Sequence, residues 1–411
     1  MNRQISFIKH LVQGDLLWIG YAALWIIFPL GQFIRYQLSE ETPIYFVEII
    51  SAVIILLMIL KIFPIIKKLY NPPFVAWIGF IIVLILSLIL TPLSVDENNF
   101  ALAFLYLARY FVASSLFLVG LVIDGRMKKR ILKLMLMAGT GLAISGLVQY
   151  LVFPYFGPLA NEGWDPHLFR IAASFFDPGF AGYIYASSLL MLIGLKSEFK
   201  LSKIAWSIMM GIFYLSLLLT YSRASYLAFI IGLAVIAYKM KAREWLIKVL
   251  VIFIFSTLLL PRPVGEGIRL ERENSILARI ENWSHAISIF KKYPVFGVGF
   301  NAYKFAQERE GYITSTDRNH SASGSDSSFL LVLATSGLVG GLAFCNLVFQ
   351  IVKKLTRQTQ KVGVVALASL FALLGHSWFL NSYFYLWILV WISTLIGLSI
   401  NQSQEENASS S

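Results

Sequence analysis

The sequence predicts an all-α polytopic membrane protein, and three observations support that fold class. Of the 411 residues, 58% are hydrophobic and only 14% are charged, an apolar content far above that of soluble domains. About twelve apolar segments approach the length of roughly 20 residues that a helix needs to cross a bilayer. Lysine and arginine collect at alternate ends of these segments. We therefore expect a single integral membrane domain over residues 1–411, with about 12 transmembrane helices.

The predicted spans follow one another closely, with one long interruption. The first span is too long for the core of a signal peptide, so we expect the chain to retain it. Residues 261–326 form a large loop before the last three spans in 327–401, and the polar tail 403–411 is expected to be disordered. The predicted spans are 16–34, 43–66, 74–92, 99–123, 131–153, 178–195, 203–221, 223–240, 244–260, 327–352, 362–380 and 384–401.

The distribution of positive charge predicts the orientation in the membrane. With the N-terminus in the cytoplasm, the cytoplasmic ends of the spans carry 21 lysines and arginines, whereas the short outer loops carry only Arg35, Arg170 and Arg223. This bias is a simpler source of the net charge of +12 than nucleic-acid binding, so we expect no nucleic-acid partner. The prediction is a multi-pass protein of the cytoplasmic (inner) membrane, with both termini in the cytoplasm and the large loop at the outer face.

Several classes of chemistry have no signature in the sequence. There is no P-loop or glycine-rich nucleotide motif, and the outer face offers no ATP or GTP. The one cysteine, Cys345, lies in an apolar run, so no disulfide can form within the chain and no Cys/His metal spacing is present. A reaction at the outer face would therefore need a substrate that arrives already activated.

The large loop contains a segment with helical periodicity. Apolar residues recur at the spacing of one helix face from Ile276 to Phe290. Asn274 or Ser275 can cap its start, and Pro294 ends the pattern. We expect this helix to lie on the membrane or to pack against the bundle, holding Arg279 above the bundle's mouth.

Three arginines are candidates for binding phosphate. Arg223 follows an apolar run and Arg170 precedes the sixth span, and an arginine near the bilayer calls for an anionic partner. Guanidinium is planar, permanently charged and bidentate to phosphate oxygens. The alternatives are an end-of-helix arginine that snorkels to the surface, for Arg223, and a solvated loop charge, for Arg279.

Acidic side chains and one histidine are candidates for other roles. Asp326 can cap the tenth span, or it can accept a proton from an attacking hydroxyl. His320 has a better suited ordinary pKa for that task, but a loop histidine is often only solvated. Asp177 before a proline fits a helix N-cap. Arg109, deep in the fourth span, can pair with Glu48 or contact substrate.

These residues form a pattern that resembles the O-antigen ligase and O-antigen polymerase superfamily of bacterial membrane glycosyltransferases. The ligase motif is His, then Asn, Ser or Gln, nine residues, and Gly-x-x-Gly at the end of the large outer loop. Here Asp326 stands in place of the histidine, and Ser327, nine residues and Gly337–Gly340 follow at the same spacing. The other matching pieces are Thr220–Arg223, Arg279 with Trp283, Pro294–Gly299 and Ser174–Pro178.

The resemblance implies a function in the biosynthesis of lipopolysaccharide or another surface polysaccharide. Members of the family transfer glycan from undecaprenyl diphosphate to a glycan or lipid acceptor at the outer face of the membrane. It implies that Arg223 and Arg279, with Arg170 as a third candidate, bind the diphosphate. Asp326 and His320 are the catalytic candidates. The acceptor hydroxyl would attack the anomeric carbon in line, so inversion is expected, with no metal and no cofactor. Aspartate in place of histidine favours a polymerase, or a ligase for an acceptor other than lipid A-core.

Two alternatives stay open. A transporter or flippase of polysaccharide intermediates would also suit twelve spans and a basic cavity. It would place its polar groups near the midplane, however, and only Arg109 is that deep. A non-catalytic subunit of a glycan-assembly complex is the second alternative.

Overall fold

The computed structural model describes residues 16–39, 42–62, 71–93, 97–261, 263, 266–270, 274–314 and 324–400. These residues are mostly helical, with one small antiparallel sheet of strands β1 (Arg35–Ser39) and β2 (Thr42–Tyr45). The helices are α1 (16–27), α2 (Phe46–Ile62), α3 (Pro72–Ile89), α4 (Glu97–Ser115), α5 (Gly125–Val152), α6 (Pro178–Gly194), α7 (Lys196–Phe199), α8 (Lys203–Leu218), α9 (Arg223–Lys239), α10 (Arg243–Leu258), α11 (Asn274–Lys292), α12 (Tyr303–Arg309), α13 (Ser328–Thr356), α14 (Lys361–His376) and α15 (Leu386–Ile400).

Helical character is confirmed, whereas twelve membrane crossings stay a prediction. Each predicted span has a helix at its position. Among the described residues, five helical segments are long and apolar enough to cross a membrane: Leu16–Phe33, Pro72–Ile89, Asn99–Leu121, Gly125–Val152 and Ser328–Thr356. Five more apolar helices are shorter, and α9 and α10 have only 17 and 16 residues.

The second predicted span begins too early. Residues Thr42–Tyr45 pair with β1 as a strand, with Arg35 opposite Tyr45. Helix α2 begins only at Phe46, where the Glu48 carboxylate accepts a hydrogen bond of 3.0 Å from Tyr45 N. An acidic side chain in the first turn satisfies an N–H group that has no partner within the helix. The hairpin therefore occupies sequence that periodicity alone assigns to the helix.

The centre of the bundle consists of helices that are apolar around their whole circumference. Helix α6 is buried almost from end to end, and α15 is buried from Trp387 to Ile400. Such helices belong in the interior, because each of their faces needs an apolar neighbour. Two hydrogen bonds join helices in this interior: Tyr183 donates to Ser369 O at 3.0 Å, and Trp391 Nε1 donates to Ser187 Oγ at 2.8 Å.

Helix α13 is interrupted at Gly337, whose φ of 64° and ψ of −162° are not helical. A break inside a helix leaves carbonyl and N–H groups without their usual partners. The preceding loop supplies them. Val298 N and Gly299 N donate to Ala334 O and Thr335 O at 3.0 and 2.9 Å.

The same loop also accepts hydrogen bonds from the far side of the break. Leu338 N donates to Pro294 O at 2.8 Å, and Val339 N donates to Val295 O at 3.2 Å. The loop Pro294–Gly299 thus restores the hydrogen bonds that α13 loses. Gly297, also at positive φ (68°), lets the two backbones approach, because a Cβ there would overlap the backbone of Thr335.

The loop helix α11 has the predicted extent but a different buried face. It ends at Lys292, before Pro294, as predicted. Its buried residues are Ala286 and Ile289, whereas Ile276 and Ile280 of the predicted stripe are 44% and 55% exposed. The helix packs on α13, as one of the two alternatives predicts, and Trp283 of the stripe contacts Phe379. Contact of Ile276 and Ile280 with the membrane stays a prediction.

Candidate functional site

A cavity of about 840 Å³ lies where several helices begin. The first turns of α6 and α9 line it, together with residues on both sides of the start of α13. The first N–H groups of a helix lack partners within that helix, and the helix dipole is positive at this end. Helix N-termini that meet at one cavity favour an anionic ligand.

The cavity brings together most of the side chains predicted from the sequence. Arg170, Arg223, Arg279 and Asp326 all line it. Arg223 and Arg279 are close enough to repel one another, although they are far apart in the chain. His320 lies outside the described residues. The predicted phosphate-binding arginines and the predicted acidic residue thus share one cavity.

Arg223 is the first residue of α9, directly after a tight turn. Helix α8 ends at Leu218, and Ser222 caps α9 by accepting from Ser225 N at 3.3 Å. The Arg223 guanidinium donates from Nη1 to Leu270 O at 3.1 Å. This contact ties the large loop to the helix that carries the arginine.

Arg279 on α11 faces Asp326 across a gap. Arg279 Nε and Asp326 Oδ2 are 3.9 Å apart, which is too far for a hydrogen bond. Asn282, three residues after Arg279 on α11, accepts from Asp326 N at 2.8 Å and from Ser325 Oγ at 3.1 Å. Asn282 therefore fixes the backbone of Asp326 beside the arginine. Asn282 was not among the predicted site residues, because an asparagine on a loop helix gives no signal of its own in the sequence.

Asp326 does not cap α13. Ser327 is the N-cap, with Oγ accepting from Leu330 N at 3.5 Å, so the capping alternative for Asp326 is wrong. Its carboxylate stays at the cavity, one third exposed. Burial raises the pKa of Asp326, and the nearby charge of Arg279 opposes part of that rise. A raised pKa makes a carboxylate a stronger base than an exposed one.

Arg170 holds two loops together. It is 8% exposed, and its Nε donates to Thr220 O at 2.9 Å, just before the turn that leads into Arg223. Asp177 is the N-cap of α6, as predicted, and accepts from Gly179 N at 2.6 Å and from Phe180 N. Burial raises the pKa of Asp177, whereas Arg170 and these hydrogen bonds lower it. Arg170 therefore has a structural role in addition to its place at the cavity.

A comparison with protein-family models finds that residues 206–345 match the family described as O-antigen ligase. This segment, about a third of the chain, is similar to the O-antigen ligase and polymerase superfamily. This confirms the predicted resemblance, and it supports an O-antigen ligase-like glycosyltransferase function in surface polysaccharide biosynthesis. Together with the apolar helices, it indicates an integral membrane protein. No curated protein matches the chain.

The O-antigen ligase match contains three of the four charged residues that were predicted to form the site. Arg223, Arg279 and Asp326 fall within it, whereas Arg170 precedes it. It also contains both glycine motifs, Pro294–Gly299 and Gly337–Gly340. Their relation is structural, because the first motif is the loop that docks on the break at the second.

A buried histidine that was not among the predicted site residues lies near the cavity. His376 is fully buried at the end of α14, with Nδ1 2.6 Å from Ser382 Oγ and Nε2 3.2 Å from Ser225 Oγ. Ser225 Oγ in turn lies 2.9 Å from Ser222 Oγ and 3.0 Å from Gly179 O. The chain of hydrogen bonds joins the starts of α6 and α9 to the end of α14. A histidine within an apolar segment was itself a signal.

His285 also lines the cavity, where its ring stacks on Tyr312 at a centroid distance of 4.0 Å. His285 was not among the residues predicted to form the site. Its position places it among the cavity's polar groups, on the same helix as Arg279 and Asn282.

Proposed function

We propose that this protein transfers or polymerises glycan from an undecaprenyl-diphosphate donor at the outer face of the cytoplasmic membrane. The observation that supports this is the meeting of Arg170, Arg223 and Arg279 with several helix N-termini and the Asp326 carboxylate in a single cavity. Guanidinium groups and helix N-termini both favour a diphosphate, and a carboxylate beside them can act on an acceptor hydroxyl.

In the proposed step, the acceptor hydroxyl attacks the anomeric carbon of the donor sugar. Its oxygen forms the new C–O bond while the bond from that carbon to the diphosphate oxygen breaks. The diphosphate leaves with the electron pair as undecaprenyl diphosphate, and Asp326 accepts the hydroxyl proton. Arg223 and Arg279 stabilise the negative charge that grows on the leaving group, with Arg170 beside them.

A single displacement of this kind inverts the anomeric configuration. The guanidinium charges would stabilise the leaving group without a metal ion. His320 remains a second candidate for the base.

The aspartate at the position of the ligase histidine bears on the acceptor. Burial strengthens Asp326 as a base, but it stays a weaker base than an ordinary histidine unless the shift is large. We therefore favour a polymerase, or a ligase for an acceptor other than lipid A-core. The glycan acceptor would then be a second lipid-linked repeat unit.

Purified protein in detergent would test this function with the producing cell's own lipid-linked repeat unit, with and without a separate acceptor. A ladder of products from the repeat unit alone indicates a polymerase, and one shifted acceptor band indicates a ligase. We expect Arg279→Ala to reduce transfer at least 10-fold, as loss of an electrostatic contact in the transition state does. Arg309→Ala is the matched control, because Arg309 is an exposed arginine on α12 of the same loop.

The alternatives predict different products. A transporter or flippase would move the lipid-linked unit across the membrane and form no glycosidic bond in detergent. A non-catalytic subunit would tolerate alanine at Arg223, Arg279 and Asp326. Absence of any product from the cell's own repeat unit would contradict the proposed enzyme and make transport the leading hypothesis.

A further inference from the structure

The cavity extends to a second group of residues that the proposed transfer step does not use. Arg109 and Glu48 line it, with Arg109 Nε 2.8 Å from Glu48 Oε1. Both side chains are almost fully buried, at 10% and 11% exposure. Arg109 also donates to Pro43 O in β2, and Glu48 accepts from Tyr45 N. The predicted pairing of these two residues is confirmed.

The charge of this pair is balanced within the protein. Arg109 and Glu48 are in close contact, whereas Arg279 and Asp326 are 3.9 Å apart. A tightly paired guanidinium offers little net positive charge to a diphosphate. It still offers N–H donors, and the carboxylate offers acceptors. This part of the cavity therefore suits a neutral ligand with many hydroxyl groups.

Aromatic rings form the remaining wall around the pair. The Tyr106 ring lies 4.6 Å from the Arg109 guanidinium carbon, and the Tyr45 and Trp387 rings are 4.8 Å apart between centroids. Tyr110, Phe384 and Tyr385 line the cavity beside them. A sugar ring has apolar C–H faces that pack on aromatic rings and hydroxyl edges that need donors and acceptors. Aromatic walls around a few fixed polar groups are what a ligand of this kind requires.

We propose that the Arg109–Glu48 pair and its aromatic wall form a binding subsite for an uncharged sugar ring of the glycan. A cavity of about 840 Å³ has the volume of a site for a ligand much larger than a diphosphate. The inference rests on the proposed function, because it assigns the arginine-rich part of the same cavity to the diphosphate. The ring can belong to the donor repeat unit or to the acceptor.

Binding measurements on the purified full-length protein test the subsite separately from transfer. One probe is the free oligosaccharide released by mild acid from the cell's own lipid-linked repeat unit. The other is undecaprenyl diphosphate without sugar. Calorimetry or the fluorescence of Trp164 and Trp387, which line the cavity, reports binding of each probe.

We expect Tyr106→Ala to weaken oligosaccharide binding about fivefold or more, and to change undecaprenyl diphosphate binding less than twofold. Phe104→Ala is the matched control, since Phe104 is on the same helix, is 55% exposed and is not part of the cavity wall. Tyr106→Leu, which keeps apolar bulk without a ring, replaces the alanine variant if that one fails to fold. In transfer assays, a raised KM for acceptor or for donor identifies which glycan occupies the subsite.

Three results would overturn the inference. The first is that the wild-type protein binds no oligosaccharide up to its solubility limit. The second is equal weakening by Tyr106→Ala and Phe104→Ala, and the third is equal weakening of both probes. Oligosaccharide binding that depends on Tyr106 in a protein without transfer would keep the subsite and reject the proposed function. Transfer activity together with oligosaccharide binding that is independent of Tyr106 would keep the proposed function and reject the subsite.

Discussion

At the scale of single residues, Asp326 sets the expected pH dependence of transfer. A carboxylate accepts a proton only when it is ionised, so the rate should fall as the pH drops through its pKa. Burial raises the pKa of Asp326, so this fall should begin at a higher pH than for an exposed aspartate with a pKa of about 4. The pH–rate profile of the purified protein measures this limb.

Substitutions of Asp326 separate a base from a residue that only orients substrate. We expect Asp326→Asn to lower transfer about 100-fold or more and to remove the acid limb. Asp326→His should recover part of the activity and move the limb toward about pH 6.5. An Asp326→Asn protein with the wild-type rate, or with an unchanged acid limb, would assign the base elsewhere, with His320 the next candidate.

Individual residues show how much of the candidate site the sequence could predict. The sequence could identify Arg223 and Arg279, because a charge inside or beside the membrane is energetically costly and is usually kept for a function. The sequence could identify Asp326 through its spacing to Gly337. The sequence could not identify Asn282, because an asparagine on a loop helix carries no such energetic cost. Its role depends on its hydrogen bond to the backbone of Asp326, which only the structure shows. His376 was passed over, although a histidine in an apolar run is equally unusual.

At the scale of elements, the docking of the loop Pro294–Gly299 on the break in α13 should depend on glycine. Gly337 has a φ of 64°, and a Cβ there would overlap the Val295 carbonyl. We expect Gly337→Ala to destabilise the protein by about 2 kcal/mol or more, through backbone strain and the clash together. Thermal unfolding in detergent and the yield of monodisperse protein measure the loss.

Gly79→Ala is the matched control for this substitution. Gly79 lies in α3, which packs on α13, and a Cβ there would meet no atom within 4 Å. Alanine is a better helix former than glycine, so this variant should be neutral or slightly more stable. If Gly337→Ala unfolds at no lower temperature than Gly79→Ala, the break in α13 does not require a glycine at residue 337.

The elements also show where sequence periodicity is insufficient. Helix positions were predicted because long apolar runs and caps such as Asp177 are local signals. The β1–β2 hairpin was missed because its apolar residues continue directly into α2. On α11 the period was right, but the apolar stripe is covered only in part, because periodicity identifies an apolar face without identifying what covers it.

At the scale of the whole molecule, the predicted orientation decides whether the cavity is open to the outer face. The asymmetry of lysine and arginine predicts that Glu162 lies outside and Lys241 inside. In a Cys345→Ala background, we expect Glu162→Cys to react with a membrane-impermeant maleimide in intact cells. Lys241→Cys should react only after permeabilisation. Both residues are exposed, so accessibility within the fold does not confound the result.

The reverse labelling pattern would place the cavity on the cytoplasmic side and remove the basis for an outer-face donor. The same experiment, extended to each connecting segment, would count the crossings. The sequence predicts twelve, and length and composition identify only five long spans among the described residues. Several helices are shorter than a typical bilayer requires, so they need local bilayer thinning or snorkelling of flanking residues to cross it.

The docked break in α13 also implies an order of events during membrane insertion. The start of α13 carries backbone carbonyls that find partners only in the loop before it, and lipid offers none. That loop is synthesised first. In the predicted orientation it is translocated ahead of α13, which makes the partners available as the helix enters the bilayer. If translocation of the loop is delayed, α13 enters the bilayer with unsatisfied backbone carbonyl and N–H groups. We expect quality-control proteases to degrade such chains.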